Sequence, residues 1–302
     1  RPPWAWFSSD GKPLDALPSV SATLTVLELG TWAHPPLATG STSLSLFRTA
    51  AMSPPVFTST AALISKIEAD EIISVASSRL SESVVEDYNA GQSTGHGSRT
   101  SATARLAPKD SPAVARIFDL GRRLLNARWN QFEELQVVRY LPGQYYHQHH
   151  DFFEYWKYPQ GSDLQRSILK RTRQGTANRV ATLLWYLGDT PVGGTNFPLA
   201  DSSSEETAIA WEECGAHGLS FTPEQGHALL FYSVLPNGTL DRRALHAGCP
   251  PAGNSTKWVA NLWLWNVDIS EYEEFFPKTF AATATSTPSE PSKPLWVDRS
   301  EV

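Results

Sequence analysis

An α+β fold, with helices laid on a β-sandwich or β-barrel, is what this sequence predicts, and three observations carry it. Apolar residues recur at helical spacing in two early stretches: Ile72, Ile73, Ala76 and Leu80, then Val114, Ile117, Phe118, Leu124 and Leu125. From residue 135 the pattern changes to short runs rich in β-branched and aromatic residues, LQVVRYL, RVATLLWYL, HALLFYSV and KWVANLWLW, separated by turn signals. Eleven tryptophans and 22 prolines in 302 residues suit a β-rich, loop-rich body better than a helical bundle. Helices first and a run of strands after them is the order of an α+β domain.

Taken in order, residues 1–54 mix Pro, Gly, Ser and Thr with one short apolar run, TLTVLEL, and read as an N-terminal extension or small β-annex. Ser65 and Glu68 make a capping box at the start of the first helix. After a Gly/Ser-rich loop, GQSTGHGSRTSAT, Ser111 and Pro112 supply an N-cap followed by proline in the first helical position. The principal domain is expected over 55–268. Within it, residues 157–178 (KYPQGSDLQRSILKRTRQGTAN) interrupt the strands with Arg166, Lys170, Arg171 and Arg173. A charge run is most simply a solvated loop; the alternative is a basic lid over a groove, or a contact to an acidic partner. Residues 269–302 form a tail whose AATATSTPSEPSKP stretch is low-complexity and expected to be disordered.

Apolar content of 41% and charged content of 19% fit a globular protein with a sizeable core. No apolar run approaches the roughly 20 residues of a membrane-spanning helix, so no transmembrane segment is expected. A net charge of −6 gives no global electrostatic case for nucleic acid as a partner. The chain opens at Arg1 without a signal-like segment, which leaves its location to indirect inference. Cys214 and Cys249 could form one disulfide, and Asn237-Gly238-Thr239 and Asn254-Ser255-Thr256 would be glycan acceptors in a secreted chain.

The chemistry concentrates in YYHQHHDFF, residues 145–153. Side chains at i and i+2 of a strand share a face, which pairs His149 with Asp151 and equally His147 with His149. A third ligand from a distant strand would complete a facial site of two histidines and one carboxylate, the donor set of non-haem Fe(II) oxygenases. His246, in ALHAGCPP beside another strand, is a good candidate for it. On local spacing alone, an H-x-D triplet is a weak signal, and histidines making ordinary hydrogen bonds are the commoner reading.

The wider pattern narrows the choice. YLPGQYYHQHHD matches Y-x-x-G-Q-x-Y-x-x-H-x-D with Tyr140, Gly143, Gln144, Tyr146, His149 and Asp151 in register. RVATLLWYL, GGTNFP, ECGAHGLSFTPEQGHALLFYSVLPNGTLDRRALHAGCP, KWVANLWLW and SRTSATARL follow the same pattern over roughly residues 55–267. In these motifs the sequence resembles the catalytic domain of prolyl 4-hydroxylases, Fe(II)/2-oxoglutarate dioxygenases, and most closely their plant and algal branch.

The resemblance implies a double-stranded β-helix (jelly-roll) core with the N-terminal helices packed on its major sheet. It implies hydroxylation of peptidyl proline to 4-hydroxyproline, with O2 consumed and succinate and CO2 released, in a proline-rich peptide or protein. It implies Fe(II) held by His149, Asp151 and His246, with His147 and His150 as neighbours. Lys257 falls eleven residues after His246, one more than usual in the family, where a lysine meets a carboxylate of 2-oxoglutarate. Tyr140 and Thr182 match positions that help bind that carboxylate. Arg99, Tyr146 and Trp263 match positions near the peptide groove, where aromatic walls would suit a polyproline II peptide. Trp258 and Trp263 differ by five, so a regular strand points one of them into the core.

Ascorbate is implied as the reductant that rescues oxidised iron. Cys214 and Cys249 both match cysteines of the plant-like branch. A disulfide between them, with the two sequons, would place the chain in the lumen of the endoplasmic reticulum or Golgi; two buried thiols are the alternative. The sequence departs from the family at His227, where Asp is common, and at Val192, where a glycine would stand. Two other functions stay open: a dioxygenase of the same fold acting on another residue or a small molecule, and a non-catalytic structural subunit. Whether a protein assembly partner exists is undecided.

Overall fold

The computed structural model describes residues 54, 56–59, 61–83, 98–200, 214–235 and 237–270 in full. Elsewhere it describes short strands at Trp4–Phe7, Pro13–Leu14, Val26–Leu29, Trp32–Ala33, Leu46–Arg48, Val85–Glu86 and Ser93–Thr94 by backbone alone. Both expected helices form. The first, α1, spans Lys66–Ser77: Ser65 Oγ accepts from Glu68 N at 3.2 Å while Glu68 Oε2 accepts from Ser65 N at 2.7 Å, completing the capping box. The second, α2, spans Pro112–Leu125 behind the Ser111 cap, and it stops at Asn126, which takes a left-handed φ of 47°.

The strands, in chain order, are β1 (Leu46–Arg48), β2 (Val56–Ser59), β3 (Ser81–Glu82), β4 (Ala102–Leu106), β5 (Leu135–Tyr140) and β6 (Tyr146–His149). After α3 (Asp163–Arg171) come β7 (Arg179–Tyr186), β8 (Thr195–Phe197), β9 (Leu219–Phe221), β10 (Ala228–Tyr232), β11 (His246–Gly248) and β12 (Lys257–Trp265). They pair antiparallel into a major sheet ordered β1-β2-β10-β7-β12-β5-β4-β3 and a minor sheet ordered β6-β11-β8-β9. The major sheet has two buried faces, and alternation sorts its residues between them. Leu183 and Trp185 of β7, Val137 of β5 and Leu262 of β12 join Ile72, Ile117 and Phe118 of the helices in one apolar cluster. Each such side chain, fully buried, contributes about 1.5–3 kcal/mol. Gly121 lets α2 approach closely, since a Cβ there would lie 2.8 Å from Leu262 Cδ2.

The opposite face meets the minor sheet. Val138, Leu184 and Val259 pack with Tyr146 and Phe221, and Val56 and Phe231 pack with Phe197. Two antiparallel sheets enclosing a core, with helices outside the larger one, are the double-stranded β-helix that the resemblance implied. The five-residue spacing of the tryptophans works out as expected: Trp258 packs on the helix side, and Trp263 lines the space between the sheets.

Three segments add detail to these expectations. The basic insertion is not wholly a loop, because it contains α3. Ser162 Oγ caps that helix by accepting from Gln165 N at 3.0 Å, and buried Ile168 anchors it beside Phe153 and Trp265. In the N-terminal segment, four short strands form a sheet of their own in the order Pro13–Leu14, Trp4–Phe7, Val26–Leu29, Trp32–Ala33, while β1 joins the major sheet. The expected disordered tail lies, from residue 271 on, outside the described residues.

Candidate functional site

Strands β6 and β11 pair so that His149 stands directly opposite His246. Asp151 follows two residues after His149, just past the strand end. The ligand atoms of His149, Asp151 and His246 all lie within 4.8 Å of one another, close enough for one ion to sit among them. His149 Nε2 is 3.9 Å from Asp151 Oδ1, and His246 Nε2 is 3.7 Å from Asp151 Oδ2.

Backbone carbonyls decide which ring nitrogens face the centre. His149 Nδ1 lies 2.7 Å from His147 O, and His246 Nδ1 lies 2.9 Å from Ala244 O. A carbonyl can only accept, so in both rings Nδ1 carries the hydrogen and Nε2 keeps its lone pair. Burial, and then the neighbouring His246, hold His149 well below the usual imidazole range; burial lowers His246 too. Burial pushes Asp151 up, but His246, His149, Arg179 and a hydrogen bond from Thr182 together outweigh it and bring the carboxyl to about 2. Near neutral pH the cluster is therefore two neutral imidazoles and one carboxylate, each in its ligating form. This donor set fits a divalent iron with open coordination positions.

His147 stays out of the cluster. It would share the face of His149 on a regular strand, but β6 carries a register shift between Tyr146 and His149, and the His147 ring stacks on Tyr145 at 4.7 Å. His150 turns away from the centre as well, toward Glu154 and Arg242.

A cavity between the sheets holds the cluster together with Lys257, Tyr140 and Trp263. Lys257 is 1% exposed. Its Nζ donates to Cys249 O at 2.7 Å and more weakly to Gly194 O at 3.4 Å, and lies 4.4 Å from the centre of the Tyr140 ring. Burial pulls this amine down to about 7 and pushes the Tyr140 phenol up. Gly248 leaves the space beside them open: a Cβ there would lie 3.1 Å from Tyr140 Oη and 3.6 Å from Lys257 Nζ. A lysine and a phenol at the edge of a space that only glycine leaves clear fit the carboxylate end of a small diacid.

Thr182, expected near the co-substrate carboxylate with Lys257 and Tyr140, also has a protein partner: its Oγ1 donates to Asp151 Oδ2 at 2.6 Å. Alternation along β7 aims it at the cavity side, and the buried carboxylate takes its only donor. This hydrogen bond orients the Asp151 carboxylate. Thr182→Val keeps the branched shape and removes the donor, so it is expected to weaken metal binding about ten- to a hundredfold. Calorimetric titration with Co(II) checks this, and unchanged affinity would mean that Asp151 is oriented without Thr182.

The groove residues divide as well. Tyr146 stacks on His149 with centroids 3.6 Å apart, and Trp263 lines the cavity. Arg99 sits behind them, 5% exposed, its guanidinium 4.5 Å over the Tyr146 ring and its Nε donating to Ser101 Oγ at 2.9 Å. Two residues missing from the sequence-based set support this wall. Arg179 lies 3.7 Å over the Trp263 ring and forms an ion pair with buried Glu133, Nε to Oε1 at 2.5 Å. Thr195, from GGTNFP, also lines the cavity and accepts from Tyr186 Oη at 2.9 Å. The motif itself was a usable signal for Thr195. Glu133 and Arg179, at the ends of strand patterns, look like solvated charges in the sequence.

Cys214 and Cys249 form a disulfide, with Cα atoms 5.7 Å apart. Asn237 and Asn254 are both exposed. His227 immediately precedes β10, bonded to Ser59 O at 3.1 Å, and is no part of the metal cluster.

Comparison with known proteins gives the following. A family model for the 2OG-Fe(II) oxygenase superfamily matches residues 135–265. Probable prolyl 4-hydroxylase 10 of Arabidopsis thaliana is 35% identical over 211 residues, 67% of this chain and 65% of that protein. Probable prolyl 4-hydroxylase 3 of the same plant is 33% identical over 218 residues, 70% and 68% of the two chains. The alpha-1 subunit of prolyl 4-hydroxylase from Gallus gallus is 34% identical over 203 residues, 67% of this chain and 34% of that one. The chain thus spans about two thirds of the length of the plant relatives that it matches. Among solved structures, a viral collagen prolyl hydroxylase from Paramecium Bursaria Chlorella virus-1 aligns with 70% of this chain and 95% of its own, at 24% identity and a TM-score of 0.46.

Proposed function

This chain belongs to the prolyl 4-hydroxylase family of 2OG-Fe(II) oxygenases, and from that premise we propose that it hydroxylates peptidyl proline at carbon 4, with 2-oxoglutarate and O2 as co-substrates. The observation that carries the reading is the neutral-imidazole and carboxylate cluster of His149, Asp151 and His246 in one cavity with the buried Lys257. Iron(II) bound there would supply the redox chemistry that couples decarboxylation of 2-oxoglutarate to oxygen insertion.

The protein's own groups do the rest. His149 and His246 present their Nε2 lone pairs, and Thr182 holds the Asp151 carboxylate in place by its 2.6 Å hydrogen bond. Lys257 offers its ammonium, and Tyr140 its hydroxyl, to the far carboxylate of 2-oxoglutarate. Leu184 and Val259 line the same space and keep water away from it. Tyr146 and Trp263 offer aromatic faces to a proline ring, and Arg179, stacked on Trp263, fixes the orientation of that indole.

Ascorbate as the iron-restoring reductant belongs to the same reading, on the strength of the family resemblance. The disulfide and the two exposed sequons support a secretory-pathway lumen. The test is 2-oxoglutarate turnover with Fe(II) and ascorbate, with and without a proline-rich peptide, read by mass spectrometry. Addition of one oxygen atom to proline, lost in His149→Ala, is the expected result. Turnover that leaves the peptide unmodified would point to another substrate, and no turnover would sink the catalytic reading.

A further inference from the structure

We infer that His150, the residue between the metal ligands His149 and Asp151, is a positioning residue that holds His246 in place from behind. Its side chain is 8% exposed, and both ring nitrogens are engaged. Nδ1 lies 2.9 Å from Glu154 Oε1, and Nε2 lies 3.0 Å from the Arg242 carbonyl. Glu154 is tied down in turn by Lys157 Nζ at 2.9 Å.

Arg242 opens the single 3₁₀ turn, Arg242–Ala244, that leads into His246. The Arg242 carbonyl also accepts from Leu245 N at 3.2 Å, so His150 grips the turn where it closes. The carbonyl of Ala244, at the other end of that turn, receives His246 Nδ1 at 2.9 Å. A short path therefore runs from the His150 ring through the turn to the atom that sets the orientation of His246. Because His150 follows His149 directly in the chain, the two imidazole ligands are tied together twice. The β6–β11 pairing joins them in front, and His150 joins them behind. Groups that orient metal ligands in this way act on affinity and geometry rather than on the chemistry itself.

The inference rests on the metal reading, and the experiment separates the two. Co(II) is titrated by calorimetry and by its visible ligand-field spectrum into wild type, His150→Phe and His150→Gln, with thermal melting of each apo protein alongside. His150→Phe keeps a planar ring and loses both bonds, and its Co(II) affinity is expected to fall about ten- to a hundredfold with an altered spectrum. His150→Gln, which can still bond across the gap, is expected to recover part of the affinity. A His150→Phe protein with wild-type affinity and spectrum would overturn the positioning role, whatever its melting temperature. Wild type that binds no Co(II) would overturn the metal site itself. If His150→Phe does not fold, Glu154→Ala strips only the Nδ1 anchor and is expected to weaken Co(II) binding about severalfold; wild-type binding there overturns the role equally.

Discussion

Asp151→Ala is expected to abolish turnover and to weaken Fe(II) or Co(II) binding by at least about a thousandfold, while the apo protein stays folded. Attraction between a carboxylate and a divalent ion in a buried, water-poor site amounts to several kcal/mol, and about 1.4 kcal/mol is a factor of ten. The two remaining ligands are neutral, since burial holds both imidazoles below their usual range, so nothing in the cluster replaces the lost charge. The fold should survive because Asp151 belongs to the cavity wall and not to any of the apolar clusters that join helices and sheets. Calorimetric titration and thermal melting read the two effects separately. Wild-type metal affinity in this variant would rule out the ligand set.

Lys257→Met is expected to raise the KM for 2-oxoglutarate roughly thirty- to several-thousandfold, with a smaller change in kcat. Truncating one partner of a buried charge pair costs about 2–5 kcal/mol, and the contact is made with the resting co-substrate, so binding suffers first. The same residue sets a pH dependence. Burial lowers it from 10.5 to about 7, so below pH 7 the empty site already holds an ammonium. Above pH 7, binding a carboxylate must take up a proton, and affinity should fall about tenfold per pH unit. Lys257→Met should flatten that slope.

The apo protein should show the opposite trend. Between pH 7 and 10.5 the unfolded chain binds the proton and the folded chain does not, so stability rises with pH through that window. Below it, the buried ammonium costs several kcal/mol, which the methionine variant escapes. A KM unchanged by the substitution, or a pH slope that persists without the lysine, would move the carboxylate subsite elsewhere in the cavity.

Much of this site was legible beforehand because its ligands come in a compact register. His149 and Asp151 lie two residues apart, His246 precedes a cysteine and a proline pair, and Lys257 opens an apolar strand. The contact of Thr182 was not legible. Its place on β7 gave the right face, but its partner, Asp151, comes from another part of the chain. The wall behind Trp263 was missed for a similar reason. Glu133 is held at about 2 despite full burial, because Arg179, Arg105 and Trp265 converge on it from three strands. In the sequence each of these is only a charge or an aromatic at a strand end. Helix α3 escaped notice because its single buried anchor, Ile168, makes too weak a period against Arg166, Lys170 and Arg171 in the same nine residues.

The sequence by itself determined the faces and the order of the elements. A period of two puts Leu183 and Trp185 on one face of their strand and Leu184 on the other, and that rule needs no knowledge of distant residues. Caps such as Ser65 with Glu68 act over three residues and are equally local. Only the tertiary structure decided the electrical state of the site: which nitrogen of each imidazole faces the centre, and how far burial lowers the Lys257 amine. Those outcomes depend on desolvation and on carbonyls brought in from other strands, and neither exists until the two sheets have closed on each other.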